Sequence, residues 1–456
     1  MDTLNNFLAQ ASAFLWDWPL IILLLGTHVF LTVRLKFPQR KVFTAIRLSV
    51  ARDRGAGGDV SQFGALATAL AATIGTGNII GVATAVALGG PGAVLWCWLT
   101  GIFGMATKYA EGLLAIKYRV KTPEGKMQGG PMYALERGLG WKWLAVLFAV
   151  FTAIAAFGIG NMVQSNAIST IVHDTYGVSP VAAGAVIAAL TGAVVLGGVK
   201  SIARVCGALV PFMALFYVLC CIYILWVNRA FLGPAVSLIC EAAFSPQAAG
   251  GGFVGTTVIM AARMGIARGL FSNESGLGSA PIVAAAAQTR NPVRQALVSS
   301  SGTFWDTVVI CAMTGLVIVS SVLAYPDISF HDGAALTKMA FGKIPVMGAP
   351  LLTVGLITFA FSTILGWCYY GERAVEYLSG ARWVKAYRVV YIALVFVGAV
   401  AGLAAVWNLA DCMNALMAIP NLVSLLLLSG VVARETQKYL WDGRLDQPMP
   451  DEEQAP

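Results

Sequence analysis

Charge is what this 456-residue chain has least of. Asp, Glu, Lys and Arg make up 11% of it and hydrophobic residues 58%, whereas a soluble domain carries roughly 25% charged residues. That deficit excludes a soluble globular protein of this length. Histidine is almost missing: His28, His173 and His331 are all there are, which leaves no material for a histidine proton relay. The eight cysteines form no CxxC and no Cys/His spacing of a metal site. All but Cys240 lie in apolar stretches and read as small buried side chains. No Ser/His/Asp set, nucleotide loop or cluster of His, Asp and Cys at one membrane face is present, so an enzyme is not expected. The first eighteen residues hold neither Lys nor Arg. A signal peptide needs a positive start, so the first apolar run is read as a retained helix.

Apolar runs are what the chain has in excess, for example 19–33 and 144–160. In lipid every backbone polar group must be paired within the protein, which leaves helices or closed barrels. Barrel strands alternate apolar and polar residues over about ten positions, and these runs do not alternate. The chain therefore reads as an all-α, polytopic membrane protein of about eleven transmembrane helices. The spans lie near 15–33, 62–88, 91–117, 142–172, 179–199, 205–227, 252–285, 295–323, 346–378, 385–405 and 407–431. With the N-terminus outside and the C-terminus cytoplasmic, 24 of the 30 Lys and Arg fall in inner loops and three (Arg229, Lys338 and Lys343) in outer ones. That asymmetry follows the positive-inside rule and supports both the helix count and the orientation; the membrane expected is a bacterial-type inner one. The net charge of +8 thus sets topology. It sits in short loops with no aromatic-interleaved basic face, so nucleic acid is not a partner.

Two spans are interrupted by glycine: the second at Gly75-Thr76-Gly77-Asn78, the seventh between Phe271 and Gly278. Set the first span aside and ten remain, in two sets of five, each opening on a broken helix and running in opposite directions. This is the pattern of an inverted repeat with a midplane site. The division expected is an extra N-terminal helix and basic loop (1–61), a first five-helix repeat (62–227), an external loop able to form a lid (228–251), a second repeat (252–433) and a polar, disordered cytoplasmic tail (434–456).

Residues 89–104 read GGPGAVLWCWLTGIFG. This resembles the signature of the alanine or glycine:cation symporter family, with Leu95 where the family has phenylalanine and Cys97 where it has methionine, both apolar exchanges. Further matches are 73–81 (TIGTGNIIG), 160–166 (GNMVQSN), 268–281 (RGLFSNESGLGSAP) and 362–367 (STILGW). The resemblance implies a leucine-transporter-type core behind one extra helix, and sodium-coupled uptake of small neutral amino acids such as alanine or glycine. It implies a sodium ion held by the carbonyls of Ala71, Ile74 and Phe359 and the hydroxyls of Ser362 and Thr363. The partners it implies are the amino acid, sodium as coupling ion and the lipid bilayer, with no cofactor and no obligate protein partner.

The residues themselves suggest how such a site works. A half-helix starting near Gly77 aims unpaired N–H groups at the membrane centre, where they attract a carboxylate. Thr76 and Gly77 are the candidates, with Asn78 supporting the bend; the plainer reading is a glycine kink against a neighbouring helix. At the second break the freed carbonyls of Phe271 and Ser272 suit a substrate ammonium. Phe271 is either a gate or core, Asn273 a substrate or bend ligand, and Gly276 part of the same unwound stretch. Glu274 is read as structural, with an ion pair to Arg268 or Arg263 as its simplest partner. Gln164 is a substrate contact or an interhelical hydrogen bond. Ser362 and Thr363 are ion ligands or hydroxyls bonded to their own previous turn. Lys108 and Glu111 are expected to snorkel as a pair, and Asp306 and Asp411 carry no role beyond structure. A proton-coupled amino acid symporter of the same fold is the alternative, with Glu274 as its titratable group.

Overall fold

The computed structural model describes residues 2–51, 53, 56–245, 257–328, 333–343, 348–401 and 404–450. The protein is mostly helical (83%). Two helices open it, α1 (Asp2–Leu15) and α2 (Trp18–Arg34), parted where the Asp17 carboxylate accepts the Trp18 N–H and caps α2. A short α3 (Val42–Val50) leads to the first broken span: α4 (Gln62–Thr73), a π-helical stretch at Gly77–Gly81, and α5 (Val82–Gly89). Then come α6 (Ala93–Lys117), a small hairpin β1 (Val120–Lys121) and β2 (Met127–Gln128), and the single turn α7 (Pro131–Tyr133). Next, α8 (Lys142–Phe157) runs through a π segment at Gly158–Met162 into α9 (Val163–Tyr176), followed by α10 (Pro180–Val195), α11 (Gly198–Val227) and α12 (Arg229–Phe244). The second broken span is α13 (Val258–Asn273) and α14 (Pro281–Ala284). Behind it, α15 (Pro292–Thr303) continues through the π segment Phe304–Cys311 into α16 (Ala312–Ala324). The chain ends on α17 (Gly333–Gly342), α18 (Gly348–Ser379), α19 (Val384–Val400), α20 (Ala404–Leu427) and α21 (Ser429–Thr436).

Among the described residues seven helical stretches are long and apolar enough to cross a membrane, and the pair 62–73 and 77–89, bent by 52°, makes an eighth. The further expected spans at α6, α10 and α13 are helices of 25, 16 and 16 residues.

Two expectations are corrected, and a third, the start of the seventh span, falls outside the described residues. The stretch 228–251 is no plain loop: α12 occupies it as far as Phe244, because Ala235 and Ile239, one turn apart, pack on Ile318 and Val319 of α16. Its positions 246–251 lie outside the described residues. The seventh span, expected from residue 252, shows its helix from Val258, with the Thr257 hydroxyl as N-cap; 252–256 lie outside the described residues. The tail beyond residue 434 is ordered as far as residue 450. It continues as α21 and a π turn (Gln437–Trp441), then crosses the loop before α15, where Asn291 donates to the carbonyls of Leu445 and Gln447 at 2.8 and 2.9 Å. Arg294 pairs there with both Asp446 and Asp53.

Candidate functional site

The two breaks meet. A Cβ placed on Gly77 would lie 3.4 Å from the ring of Phe271 and 3.6 Å from the Ser272 backbone. Between them is a cavity of about 20 Å³, lined by Gly75, Thr76, Gly77, Gln164, Phe271, Glu274, Thr363, Trp367 and Asn414 among others. Its polar lining is rich in acceptors. Gln164 donates its amide N–H to the Ile159 carbonyl, at the π segment between α8 and α9, and its Oε1 is buried without a hydrogen-bond partner. The Oδ1 of Asn414, on α20, is likewise buried and unpaired. Opposite them Thr76 and Gly77 open the half-helix that continues as α5, whose first N–H groups have no helical acceptor.

The first break is organised by Asn78. Its Oδ1 accepts the Gly75 N–H at 2.8 Å, and its Nδ2 donates to Asp306 Oδ1 at 2.7 Å. Taking the Gly75 N–H has a consequence one turn back. In a continuous helix that N–H would bond the Ala71 carbonyl. The freed carbonyl instead accepts the hydroxyls of Ser362 and Thr363, each at 3.1 Å. Both hydroxyls also lie within reach of the Phe359 carbonyl, at 2.8 and 3.0 Å. Four of the five oxygens expected around sodium are thus one cluster, fully or almost fully buried. The fifth residue, Ile74, caps α4 in an extended conformation beside them. The approach of α18 to α4 depends on Gly366, where a Cβ would fall 2.8 Å from the Ala72 backbone nitrogen.

The second break begins at Glu274, three residues later than expected. Phe271, Ser272 and Asn273 are the last turn of α13, and Glu274 closes it in the left-handed conformation (φ 53°). The carbonyls of Phe271 and Ser272 still lose their helical partners: the Ser275 N–H turns to Asn273 Oδ1, and the Gly276 N–H to Glu111 Oε1. The rest of the expected set is dispersed. Ser272 points its hydroxyl away from the cavity, to Asp306 Oδ2 at 3.1 Å. Asn273 caps Ser275 and faces the α4 side of the breaks. Gly276 (φ +91°) packs against Leu24 and His28 of α2 and Leu422 of α20. None of these three borders the central cavity. Glu274 pairs with neither Arg263, which binds Asp17, nor Arg268. It accepts from Trp367 Nε1 at 3.1 Å and from the Ser279 hydroxyl.

The sequence profile of the sodium:alanine symporter family matches residues 1–452. The chain belongs to the sodium:alanine symporter family. Over 436 residues this symporter is 51% identical to the sodium/alanine symporter AgcS of Methanococcus maripaludis, covering 94% of this chain and 95% of that protein. It is 36% identical over 442 residues to the probable sodium/glutamine symporter GlnT of Bacillus subtilis, covering 96% and 91%. Its fold is that of the crystal structure of MhsT in complex with L-phenylalanine, at a TM-score of 0.60 and 15% identity, covering 88% of this chain and 95% of that one. The symporter is therefore a multi-pass membrane transporter of leucine-transporter type, not an enzyme.

Sequence reasoning missed several residues of the symporter's centre. Trp367 and Asn414 line the cavity; nothing distinguishes them locally from other residues of apolar helices. Asp306 is fully buried and takes hydrogen bonds from Asn78, Ser272 and Thr307, so one carboxylate ties the first break to α13. Glu111 does not snorkel. It is buried, and its Oε1 accepts the N–H groups of Gly276 and Gly278 at 3.0 and 3.1 Å and Asn421 Nδ2 at 2.7 Å. A carboxylate in a nest of glycine amides holds the second break unwound.

Proposed function

We propose that this symporter takes up small neutral amino acids, alanine or glycine among them, together with sodium, by alternating access across a bacterial-type inner membrane. The charge asymmetry of the loops supports an external N-terminus, a cytoplasmic C-terminus and eleven spans, arranged as one extra helix before two inverted sets of five. The observation that carries the reading is the Ala71 carbonyl, released by the first break and met by two hydroxyls of α18. A hydroxyl has lone pairs to spare as well as a proton to donate. Turning the two protons aside gives a hard monovalent cation the oxygens of Ser362, Thr363, Ala71 and Phe359, with the Ile74 carbonyl completing the set.

The amino acid then lies across the cavity. Its carboxylate meets the amides of Thr76 and Gly77. Its ammonium meets acceptors that have no other partner, Gln164 Oε1 and Asn414 Oδ1, and the carbonyls released at Phe271 and Ser272. The walls leave space for about one water, so the site opens by a small displacement and favours a short side chain. Sodium orders the first break against α18, and that order raises the affinity for the amino acid reciprocally. Proton coupling through Glu274 is less favoured, since both of its oxygens are already engaged by Trp367 and Ser279.

The test is uptake of labelled alanine into proteoliposomes, with unlabelled amino acids as competitors, with and without a sodium gradient. Uptake that needs inward sodium and is competed by glycine and serine is expected. Uptake driven by a pH gradient with sodium absent would replace sodium by protons, and no competition by any small neutral amino acid would end the substrate assignment.

A further inference from the structure

Thr73 lines two cavities. One is the central site; the other is a chamber of about 20 Å³ on the α4 side of the breaks, walled by Leu70, Lys108, Asn273, Pro281 and Gln295 among others. Three of its polar atoms are buried without a hydrogen-bond partner: Lys108 Nζ, Asn273 Nδ2 and Gln295 Oε1. Their residues are 3%, 1% and 1% exposed. The nearest carboxylate oxygen to the ammonium, Glu111 Oε2, stands 3.9 Å away, too far for a hydrogen bond. A buried ammonium with unmet donors is costly to keep, and a membrane-depth charge points to use. A single water fits the chamber as it stands. Its chemistry asks for more: an ammonium and an amide N–H₂ on the walls of one chamber are donors of the kind a carboxylate takes.

The order of charges along the path is informative. Glu274 borders the central cavity, while Asn273, the preceding residue, and Lys108 border the chamber. A solute passing from one to the other meets a negative group and then a positive one, which matches a zwitterion travelling carboxylate first. We propose that Lys108 and Asn273 form a second, exit-side subsite that takes the carboxylate of the departing amino acid once α4 moves aside. Gln295 sits beside it as a further polar wall. This rests on the amino acid symport proposed above and adds the step by which the substrate leaves.

The experiment compares the two faces of the membrane, using full-length protein in proteoliposomes of controlled orientation and whichever neutral amino acid the unaltered protein carries best. Lys108→Met should raise the KM for substrate presented on the face where α4 begins about tenfold or more, while the KM at the opposite face moves less than twofold. Asn273→Asp keeps the oxygen that caps Ser275 and replaces the amide donor by a carboxylate, so it should raise the same KM even if Lys108→Met folds poorly. A role for Lys108 confined to balancing Glu111 predicts that Lys108→Met/Glu111→Gln restores both faces; the subsite predicts that the one-sided defect persists. Equal changes at both faces, or full restoration in the double variant, would overturn the subsite and leave the transport function standing. An unaltered protein that carries no zwitterion would overturn both.

Discussion

Stripping the two hydroxyls from α18 is the sharpest challenge to the ion site. Thr363→Val keeps the branched shape and Ser362→Ala removes a single atom, so packing of these fully or almost fully buried side chains is nearly unchanged. The loss is two oxygens that face the Ala71 carbonyl at 3.1 Å. An interaction with a charged partner contributes about 1.5–3 kcal/mol net. Two neighbours acting on one ion do not add fully, so the pair is worth about 3 kcal/mol, roughly a hundredfold in sodium half-activation. The same change strands the Ala71 carbonyl, a further cost of about 1–3 kcal/mol to the folded protein, which a thermal melt of the purified protein reports separately. The assay is initial alanine uptake against external sodium at fixed membrane potential. Thr358→Val is the control, because that hydroxyl bonds back only to its own helix, at Val354 and Gly355. Unchanged sodium half-activation in the double variant, with uptake intact, would refute the ion site.

Three further outcomes follow from the same geometry. Glu111→Ala leaves the amides of Gly276 and Gly278 and the Asn421 side chain without their acceptor; at about 1–3 kcal/mol for each unmet group the protein should melt markedly earlier, and Glu111→Gln, which keeps an oxygen, should lose much less. Gly366→Val puts a side chain where even a Cβ is 2.7 Å from Ala72 Cβ, so α18 must back away from α4, and sodium-dependent uptake should fall at least as far as in the hydroxyl double variant despite normal membrane expression. Ending the chain after Asp442 removes the partners that Asn291 and Arg294 find in the tail; a cysteine introduced at Gln288 should then react faster with a membrane-impermeant thiol reagent, and an unchanged rate would show that the strap does not restrain this loop.

Much of the centre was legible in the residues because it is local. The glycines and Asn78 of the first break announce themselves as polar interruptions in an apolar span, whereas the Ser362-Thr363 pair was singled out through the family resemblance. The second break was placed three residues early. Phe271, Ser272 and Asn273 look as breakable as their neighbours, and nothing in the sequence says that Glu274, a residue with a Cβ, adopts the left-handed conformation that ends α13. The partners that hold it there are remote: Glu111 lies 165 residues from Gly276, and Asn421 lies 145 residues from it. The same limit hid α12, whose Gly233 and Pro234 suggest a loop until the apolar wall of α16 is supplied. It also hid the strap, whose polar composition reads as disorder until Asn291 and Arg294 capture it.

The segment that precedes α4 and the segment that follows α14 are stitched together. Val60, just ahead of α4, pairs with Ala287, just after α14: the N–H groups of Asp59 and Val60 reach the Ala286 carbonyl, the Gln288 N–H returns to Val60, and Arg119 bonds the carbonyls of Ala285 and Ala287. Such a seam makes α4 and α14 one lever. In the transport cycle proposed above, its tilt would move the α4 half of the hydroxyl–carbonyl cluster and the floor beneath the second break in the same stroke, so that release of the two cargoes would be tied together by three backbone hydrogen bonds and the Arg119 side chain.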